Sequence, residues 1–364
     1  MMVCMTYIKL PEEDKTRRLV FYLAMEEYIA ANLDKLLPHR TEKEAFFMWQ
    51  VPPTVIFGRN QVMEAEVNID YCRSKGINLF RRKSGGGCVY SDWGNIMLSY
   101  ITDKTDVAFT FESFLQRIAL VLRCAGLPAC VSGRNDIMVD GKKVSGNAFF
   151  LKPKSSIVHG TMLFDTDFEE LTKAITPSEA KIKSKGVDSV RAHVTNLRPY
   201  FIASHKQWQQ ALSDISKFKS FIAANLCTIA SETEEDSTIF DQIILNDTDL
   251  EEIQKIEATY LDPDFLQGKK HNWSKSLSCK IENVGEIEVR YEMEADHIIG
   301  CTLTGDFFPL KEGIGEYLSS ALNGCRDDFQ EVSHALASCD LAQFISGLDA
   351  VELARGLYGI TTNQ

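Results

Sequence analysis

Three consecutive glycines at residues 85–87 follow the paired Arg81 and Arg82 in the stretch RRKSGGGCVYSDWGN. The apolar segments INLFRR before them and NIMLSYI after them predict strands. A Walker A loop would end in Gly-Lys-Ser/Thr and a Rossmann fingerprint would lead into a long helix, so both motifs are excluded. Glycines let successive backbone N–H groups surround an anion, and a neighbouring arginine adds a fork of donors. The stretch predicts an anion cradle suited to phosphates, with a flexible surface loop as the open alternative.

The totals describe a folded protein with no general affinity for nucleic acid. A length of 364 residues suits two domains, and 45% hydrophobic with 25% charged residues is ordinary for a globular chain. The net charge of -12 repels a phosphate backbone, although it leaves room for a local basic pocket.

The ten cysteines are scattered, with no C-x-x-C pair and no Cys/His spacing typical of zinc. A disulfide framework is not expected in a chain of this length, which favours a reducing compartment. The N-terminus turns acidic too early for a secretory signal, and no apolar run is long enough to cross a membrane. We therefore expect a cytoplasmic protein without a membrane partner.

Hydrophobic periodicity predicts helices and strands in a mixed order, which favours an α+β fold. An amphipathic helix is expected over 17–37, and Asp140-Gly141 between IMV and KKV predicts a β-hairpin. Further helices are expected over 62–76, 111–126, 168–175 and 205–226. The last part of the chain should form strands and then three helices. A polar, Pro- and Gly-containing stretch places a linker at 259–275, between domains at 1–258 and 276–364.

Three further segments contain candidate functional residues. Because strand side chains alternate, only one of Lys142 and Lys143 can face a pocket, and both could be ordinary hairpin lysines. His159 in IVHGTMLF could be catalytic or a satisfied core residue. A basic segment suits a loop closing over a polyanion, or a solvated charge run. Its lysines, which precede Gly186, are Lys181, Lys183 and Lys185.

Taken in order, these segments resemble the lipoate-protein ligase A family of the biotin/lipoate protein ligase superfamily. The matching stretches are RRKSGGGCVYSDWGN, GRNDIMVDGKKVSGNA, VHGTML and KSKGVDSVRAHVTNL, which span roughly residues 55 to 200. The resemblance implies a mixed-sheet catalytic domain like those of biotin and lipoate ligases, with a smaller α+β accessory domain at the C-terminus. It also implies that lipoate and ATP form lipoyl-AMP, with Mg²⁺. The lipoyl group then passes to a lysine of a 2-oxoacid dehydrogenase E2 subunit or the glycine cleavage H protein.

The same resemblance implies a role for each matched residue. Lys143 would be catalytic and would contact both the lipoate carboxylate and the α-phosphate. ATP would be bound by Arg82, Gly87, Cys88, Val89, Tyr90 and Lys143. Lipoate would be bound by Arg82, Ser84, Gly85, Gly86, His159 and Lys143. Asn135 and Asp136 would lie on the magnesium or pyrophosphate side, with Asp136 as the metal ligand, and Lys181, Lys183, Lys185 and Gly186 would form the adenylate loop.

Three other functions are weighed against this one. An acyltransferase of the same fold would need a thiolate shortly beyond HGT, whereas residues 131–226 contain no cysteine and Cys88 reads as a small filler. A biotin-protein ligase would have a different glycine-and-arginine loop. A non-catalytic lipoate binder would have no chemical need for Lys143. The departures from the family pattern, Cys88, Ser91 and Val158, leave the acyl specificity open, and we expect a monomer.

Overall fold

The computed structural model describes residues 5–12, 15–133, 135–175, 193–229, 239–268 and 273–360. The chain divides into two compact units, and the second is discontinuous in sequence. The first comprises Met1–Ile56, Val67–Phe80 and Val89–Asp262, and the second Phe57–Glu66, Arg81–Cys88 and Pro263–Gln364. Among the described residues, no helix has the length and apolar character needed to span a bilayer.

The strands, in chain order, are β1 (Thr6–Lys9), β2 (Glu44–Trp49), β3 (Thr54–Phe57), β4 (Asn78–Arg81), β5 (Val89–Ser91), β6 (Asn95–Thr102), β7 (Ala129–Ser132), β8 (Asp136–Val139), β9 (Lys142–Lys152), β10 (Ser155–Leu163), β11 (Thr228–Ile229), β12 (Ile239–Phe240), β13 (Gln242–Ile244), β14 (Lys275–Ile281), β15 (Gly285–Glu294) and β16 (His297–Gly305). The described helices are α1 (Leu19–Ala31), α2 (Leu33–Leu36), α3 (Met63–Glu66), α4 (Ile69–Lys75), α5 (Val107–Cys124), α6 (Phe168–Ala174), α7 (Arg198–Ile202), α8 (Gln207–Ala211), α9 (Ile215–Cys227), α10 (Asp247–Tyr260), α11 (Pro263–Gln267), α12 (Ile314–Leu322), α13 (Phe329–Leu336) and α14 (Ala350–Leu357).

An eight-stranded mixed sheet organises the first unit, in the order β13-β1-β2-β6-β10-β9-β8-β7. The pairs β13–β1 and β1–β2 are parallel, and the neighbouring pairs from β2 to β7 are antiparallel. Strands β2, β6 and β10 are buried along their whole length because helices cover both faces of the sheet. On one face, Phe114 of α5 stacks on Tyr100 of β6 at 4.9 Å between ring centroids.

Helix α1 is confirmed as a helix, but its predicted amphipathic character is wrong. Residues Leu19 to Ala30 are all buried, and they include Glu26 and Glu27. Besides packing on the sheet, α1 packs against α10. There the Tyr260 hydroxyl donates to Glu27 at 2.8 Å. The sequence pattern could not reveal this, because α10 lies more than 200 residues away in the chain.

The predicted hairpin is confirmed, and its turn explains the Asp-Gly pair. Asp140 has φ of 49° and Gly141 has φ of 73°, the two positive values that a type I′ turn requires. The register between β8 and β9 then shifts between Ile137 and Met138, which marks a β-bulge. Lys142 and Lys143 keep the expected alternation, because they pair with Val139 and Met138, and the bulge falls after them at Val144.

The glycine stretch joins two strands of a small three-stranded sheet, in the order β4-β3-β5. The first strand of this pair, β4, ends at Arg81, and β5 begins at Val89. The strand predicted at INLFRR is confirmed, and NIMLSYI forms β6 after the short β5. Residues 82–88 are therefore anchored at both ends.

The rest of the second unit is the predicted set of strands and three helices. Strands β14, β15 and β16 form an antiparallel sheet, and α12, α13 and α14 contribute to its hydrophobic core. Tyr291, Leu353 and Val332 are among the fully buried members of this core. A helix that sequence reading missed, α10, begins with a capping box between Asn246 and Asp249.

Candidate active site

Arg82 is a buried cation that donates hydrogen bonds within its own loop. Its side chain is 5% exposed, and its Nη2 donates to the carbonyl oxygens of Gly85 and Gly87, each at 2.7 Å. Its Nε donates to Ser84 Oγ at 3.1 Å. Burial lowers the pKa of Arg82 to about 10, so the guanidinium stays charged at neutral pH. The loop backbone thus surrounds the Arg82 guanidinium and holds its positive charge in one place.

Arg81 has a different, structural position. Its Nη1 donates to the carbonyls of Arg59 and Gln61 at 2.9 and 2.7 Å, and its Nε donates to Leu266 O at 3.2 Å. The guanidinium carbon also lies 4.6 Å from the centre of the Phe57 ring. These contacts join three separate segments of the second unit. The structure therefore separates the arginine pair into one residue that holds the unit together and one that shapes the loop.

Two of the three glycines are required by their surroundings. Gly86 has φ of 85°, and an added Cβ would lie 2.8 Å from the Phe308 ring. At Gly85 an added Cβ would collide with the Phe307 carbonyl oxygen, and the Gly86 N–H donates to that same oxygen at 3.0 Å. At Gly87 no described heavy atom lies within 4 Å of an added Cβ. The space beside the third glycine is thus unfilled by described atoms.

The residues after the glycines lead into the sheet. Cys88 is half-buried, and Tyr90 is 2% exposed on β5. Burial raises the pKa of the Tyr90 phenol, with a smaller contribution from Asp92, so the hydroxyl remains protonated. The side chain of Tyr90 therefore belongs to the core. Any contact that Tyr90 makes with a nucleotide would come from its backbone.

Lys143 is held by contacts on its side chain and on its backbone. Its Nζ lies 2.7 Å from Asp136 Oδ1, an ion pair across the hairpin. Its carbonyl oxygen accepts from the Thr195 N–H at 3.0 Å, next to a parallel bridge between Lys143 and Val194. Asn135 lies beside this pair, and its side-chain amide donates to Asn147 O at 2.8 Å. The structure thus brings together Lys143, Asp136 and Asn135, three of the predicted residues.

His159 is buried on β10 and contacts a carboxylate that sequence reading missed. Its Nδ1 lies 2.8 Å from Glu26 Oε2. The Ser99 hydroxyl donates to Glu26 Oε1 at 2.5 Å, and Trp49 Nε1 donates to Ser99 Oγ at 2.9 Å. These four residues form what we call the Glu26 network. The available sequence signal was a pair of glutamates inside the otherwise apolar helix LVFYLAMEEYIAA.

The remaining predicted residues are Val89, which is half-buried at the start of β5, and the four of the basic segment. Lys181, Lys183, Lys185 and Gly186 lie outside the described residues. Of the candidate residues, the first unit contains the Lys143 hairpin and the Glu26 network, and the second contains the glycine loop with Arg82. The Lys143 ammonium in the first unit and the buried Arg82 guanidinium in the second are each suited to an anionic group.

Comparison with known proteins agrees with this geometry. Residues 19–216 match the family described as "Lipoyl protein ligase A/B catalytic domain", and residues 271–357 match "Bacterial lipoate protein ligase C-terminus". The chain is 34% identical over 338 residues to Lipoate--protein ligase 1 of Staphylococcus aureus, covering 92% of this chain and 94% of that protein. This chain belongs to the lipoate-protein ligase family.

Solved structures show the same fold at lower sequence identity. A crystal structure of P. falciparum LipL1 in complex with lipoate superposes with a TM-score of 0.70 at 20% identity, over 98% of this chain and 99% of that one. A lipoate-protein ligase A bound with ATP has a TM-score of 0.56 at 23% identity, over 72% of this chain and 99% of that one. The predicted α+β lipoate-ligase-like fold is thereby confirmed.

Proposed function

We propose that this chain is an ATP-dependent lipoate-protein ligase that works through an acyl-adenylate. A carboxylate oxygen of lipoate attacks the α-phosphorus of ATP, so lipoyl-AMP forms and pyrophosphate leaves. The ε-amine of an acceptor lysine then attacks the lipoyl carbonyl carbon. An amide bond forms, AMP leaves with the electrons of the anhydride bond, and the amine loses a proton. The observation that carries the proposal is Lys143, whose ammonium pairs with Asp136 on the hairpin of a chain that belongs to this family.

The first step joins two negatively charged groups, so catalysis consists chiefly of neutralising and aligning them. Lys143 contacts both the lipoate carboxylate and the α-phosphate. Arg82 stabilises the negative charge of the nucleotide, and its burial supports this role because a poorly solvated cation interacts strongly with an anion. The open backbone at Gly87 supplies N–H donors, and residues 88–90 continue along the nucleotide.

The remaining residues bind the acyl group and close the site. Ser84, Gly85 and Gly86 shape the cleft for lipoate and phosphate. His159 lines the lipoyl pocket, and its Glu26 partner supports this role because a paired imidazole keeps one orientation. Lys181, Lys183, Lys185 and Gly186, which lie outside the described residues, contact the adenylate in this proposal.

Magnesium enters this proposal as an ion carried chiefly by ATP. In the described part of the chain, no three His, Cys, Asp or Glu side chains are grouped so as to hold a metal. A single protein carboxylate is enough for Mg²⁺. This ion commonly keeps several waters and uses one or two carboxylates together with substrate phosphates. Asp136 would supply the carboxylate, with Asn135 beside it, and the ion would neutralise charge on the leaving pyrophosphate.

Acyl transfer through a cysteine thioester finds no support at Cys72, Cys279 or Cys301. Burial raises the pKa of Cys72 and Cys279 to about 11 and that of Cys301 to about 12. A thiol with such a pKa has almost no thiolate at neutral pH, and the thiolate is the nucleophile. A purely lipoate-binding role would use the Lys143 ammonium only for the lipoate carboxylate and would need no contact with an α-phosphate.

The proposal also covers the domain boundaries, the acceptors, the oligomeric state and the location of the protein. The domains are a catalytic one at 1–258 and an accessory one at 276–364, with a linker at 259–275; the family matches over residues 19–216 and 271–357 support this order. The acceptors are the lipoyl domains of E2 subunits and the glycine cleavage H protein. The protein acts as a monomer in the cytoplasm, and it binds neither nucleic acid nor membrane.

Transfer to an acceptor tests the proposed function. The purified chain is incubated with ATP, Mg²⁺, lipoate and an unmodified lipoyl domain, and the acceptor is then analysed by mass spectrometry. We expect lipoyl addition to one lysine, dependent on both ATP and lipoate. An acceptor that stays unmodified, or is modified without ATP, contradicts the proposal; octanoate in place of lipoate measures the acyl preference.

A further inference from the structure

The Lys143 side chain rests over a glycine and against a carboxylate of the same hairpin. Its Nζ is 2.7 Å from Asp136 Oδ1. A Cβ added to Gly146 would lie 2.8 Å from both Cε and Nζ of Lys143, closer than real Cβ atoms approach a neighbour. Any side chain at position 146 would therefore push the ammonium away from its present place.

The β-bulge explains how these three residues meet. In a regular strand, residues 143 and 146 would point to opposite faces, because side chains alternate. Here Met138 pairs with Lys143 and Ile137 pairs with Ser145, so Val144 is the extra residue on β9. The extra residue returns Gly146 to the face of Lys143, and the register places Asp136 opposite Gly146.

We propose that Asp136 and Gly146 form a seat that positions the Lys143 ammonium for the reaction. Asp136 is a positioning residue in this arrangement, since it acts through Lys143, and Gly146 supplies the space. The inference rests on the proposed function, in which Lys143 is the catalytic cation. The space that the ammonium needs explains why residue 146 in the K-V-S-G stretch is a glycine. Asp136 then positions Lys143 and does not serve a metal alone.

The physical need for such a seat follows from the lysine side chain itself. Lysine has a flexible four-carbon stem, and the Lys143 side chain is 34% exposed, so an unpaired ammonium would sample many positions. Catalysis by a charged group depends on its placement before the transition state forms. Both side chains of this pair keep about a third of their surface in solvent, which screens the interaction, so loss of Asp136 should affect activity more than folding.

Two variants test the seat, Asp136→Asn and Gly146→Ala, with Asp136→Glu as the conservative rescue. We expect Asp136→Asn to lower kcat for lipoate-dependent pyrophosphate release about a hundredfold, because a small misplacement costs about that much. The thermal midpoint should stay at the wild-type value, and the loss of kcat should persist at saturating Mg²⁺. Asp136→Glu should recover part of kcat. Gly146→Ala should lose kcat while remaining folded by circular dichroism.

A second measurement reports on the seat without activity. The folded protein is treated briefly with acetic anhydride, and fragment ions give the acetylation ratio of Lys143 to Lys142, its exposed neighbour. Wild type should show a low ratio, and both variants should raise it several-fold. A ratio unchanged by either variant overturns the proposal, as does an Asp136→Asn defect that excess Mg²⁺ removes. If wild type releases no pyrophosphate, the proposed function fails, and the ratio alone still decides whether the seat exists.

Discussion

Lys143 and Lys142 are adjacent in sequence and occupy different environments. The exposed Lys142 lies at the start of β9, whereas Lys143 pairs with Asp136 and accepts a backbone hydrogen bond from Thr195. The pair therefore offers a matched test of which lysine is catalytic, since both changes remove one positive charge from the same hairpin.

Lys143→Ala should lower the rate of lipoyl-AMP formation at least about a hundredfold, because removing one preorganised donor to a developing charge typically costs ~3 kcal/mol. Lys142→Ala should retain nearly the wild-type rate. The measurement is lipoate-dependent pyrophosphate release by both variants at saturating ATP. Unchanged turnover in Lys143→Ala would remove this residue from the mechanism.

Glu26 is the carboxylate on which the Glu26 network depends. Glu26→Ala should lower the free energy of unfolding by about 1–3 kcal/mol, because the buried Ser99 hydroxyl and His159 imidazole lose their partner. The exposed ion-pair residue Glu42, next to Lys104, is the control, and Glu42→Ala should cost less than about 1 kcal/mol. Urea denaturation of both variants checks this, and equal losses would contradict the account.

The glycine loop contains two neighbouring positions with opposite expectations. Gly86→Ala should destabilise the protein by roughly 1–3 kcal/mol, because φ of 85° disfavours any L side chain and Phe308 occupies the space. Gly87→Ala should leave stability nearly unchanged, since nothing described lies near its added Cβ. Gly87→Ala should instead weaken ATP binding if its backbone faces the nucleotide.

Urea midpoints and ATP titrations of the two glycine variants separate these effects. A stable Gly86→Ala variant would show that the loop adopts another backbone conformation in solution. Normal ATP affinity in Gly87→Ala would place the nucleotide elsewhere.

Local sequence signals predicted the elements that depend on near neighbours. The Asp140-Gly141 hairpin and the strands around the glycines follow from turn chemistry and short apolar runs. The buried outer side of α1 and the bulge in β9 depend on distant packing and strand register, which a local pattern does not contain. Helix α10 was missed because its acidic surface resembled the polar stretch before it.

Residue types at the site were predictable, but their partners were not. The resemblance named Lys143, Asp136 and His159, since these stand inside motifs. Glu26 reaches His159 across 133 residues, and only the folded sheet places them together. The division of the arginine pair was also hidden, because both residues have the same charge and flank the same strand end.

The second unit is assembled from three separated segments, and this gives the whole chain a testable property. The loop at 81–88 bonds to the C-terminal part through the Gly86 N–H and Phe307 carbonyl oxygen. We expect the amide of Gly86 to exchange with the same urea dependence as the amides of β15, because both report opening of one cooperative unit. Native-state hydrogen exchange measures this. Exchange of Gly86 without any urea dependence would show that the loop opens independently.

The central claim is that this chain activates lipoate as an adenylate before any acceptor takes part. The most direct measurement is exchange of labelled pyrophosphate into ATP by the purified protein, with Mg²⁺ and without an acceptor. We predict exchange that requires lipoate and is lost in Lys143→Ala but kept in Lys142→Ala. Exchange that is absent, or that proceeds equally without lipoate, would contradict the account.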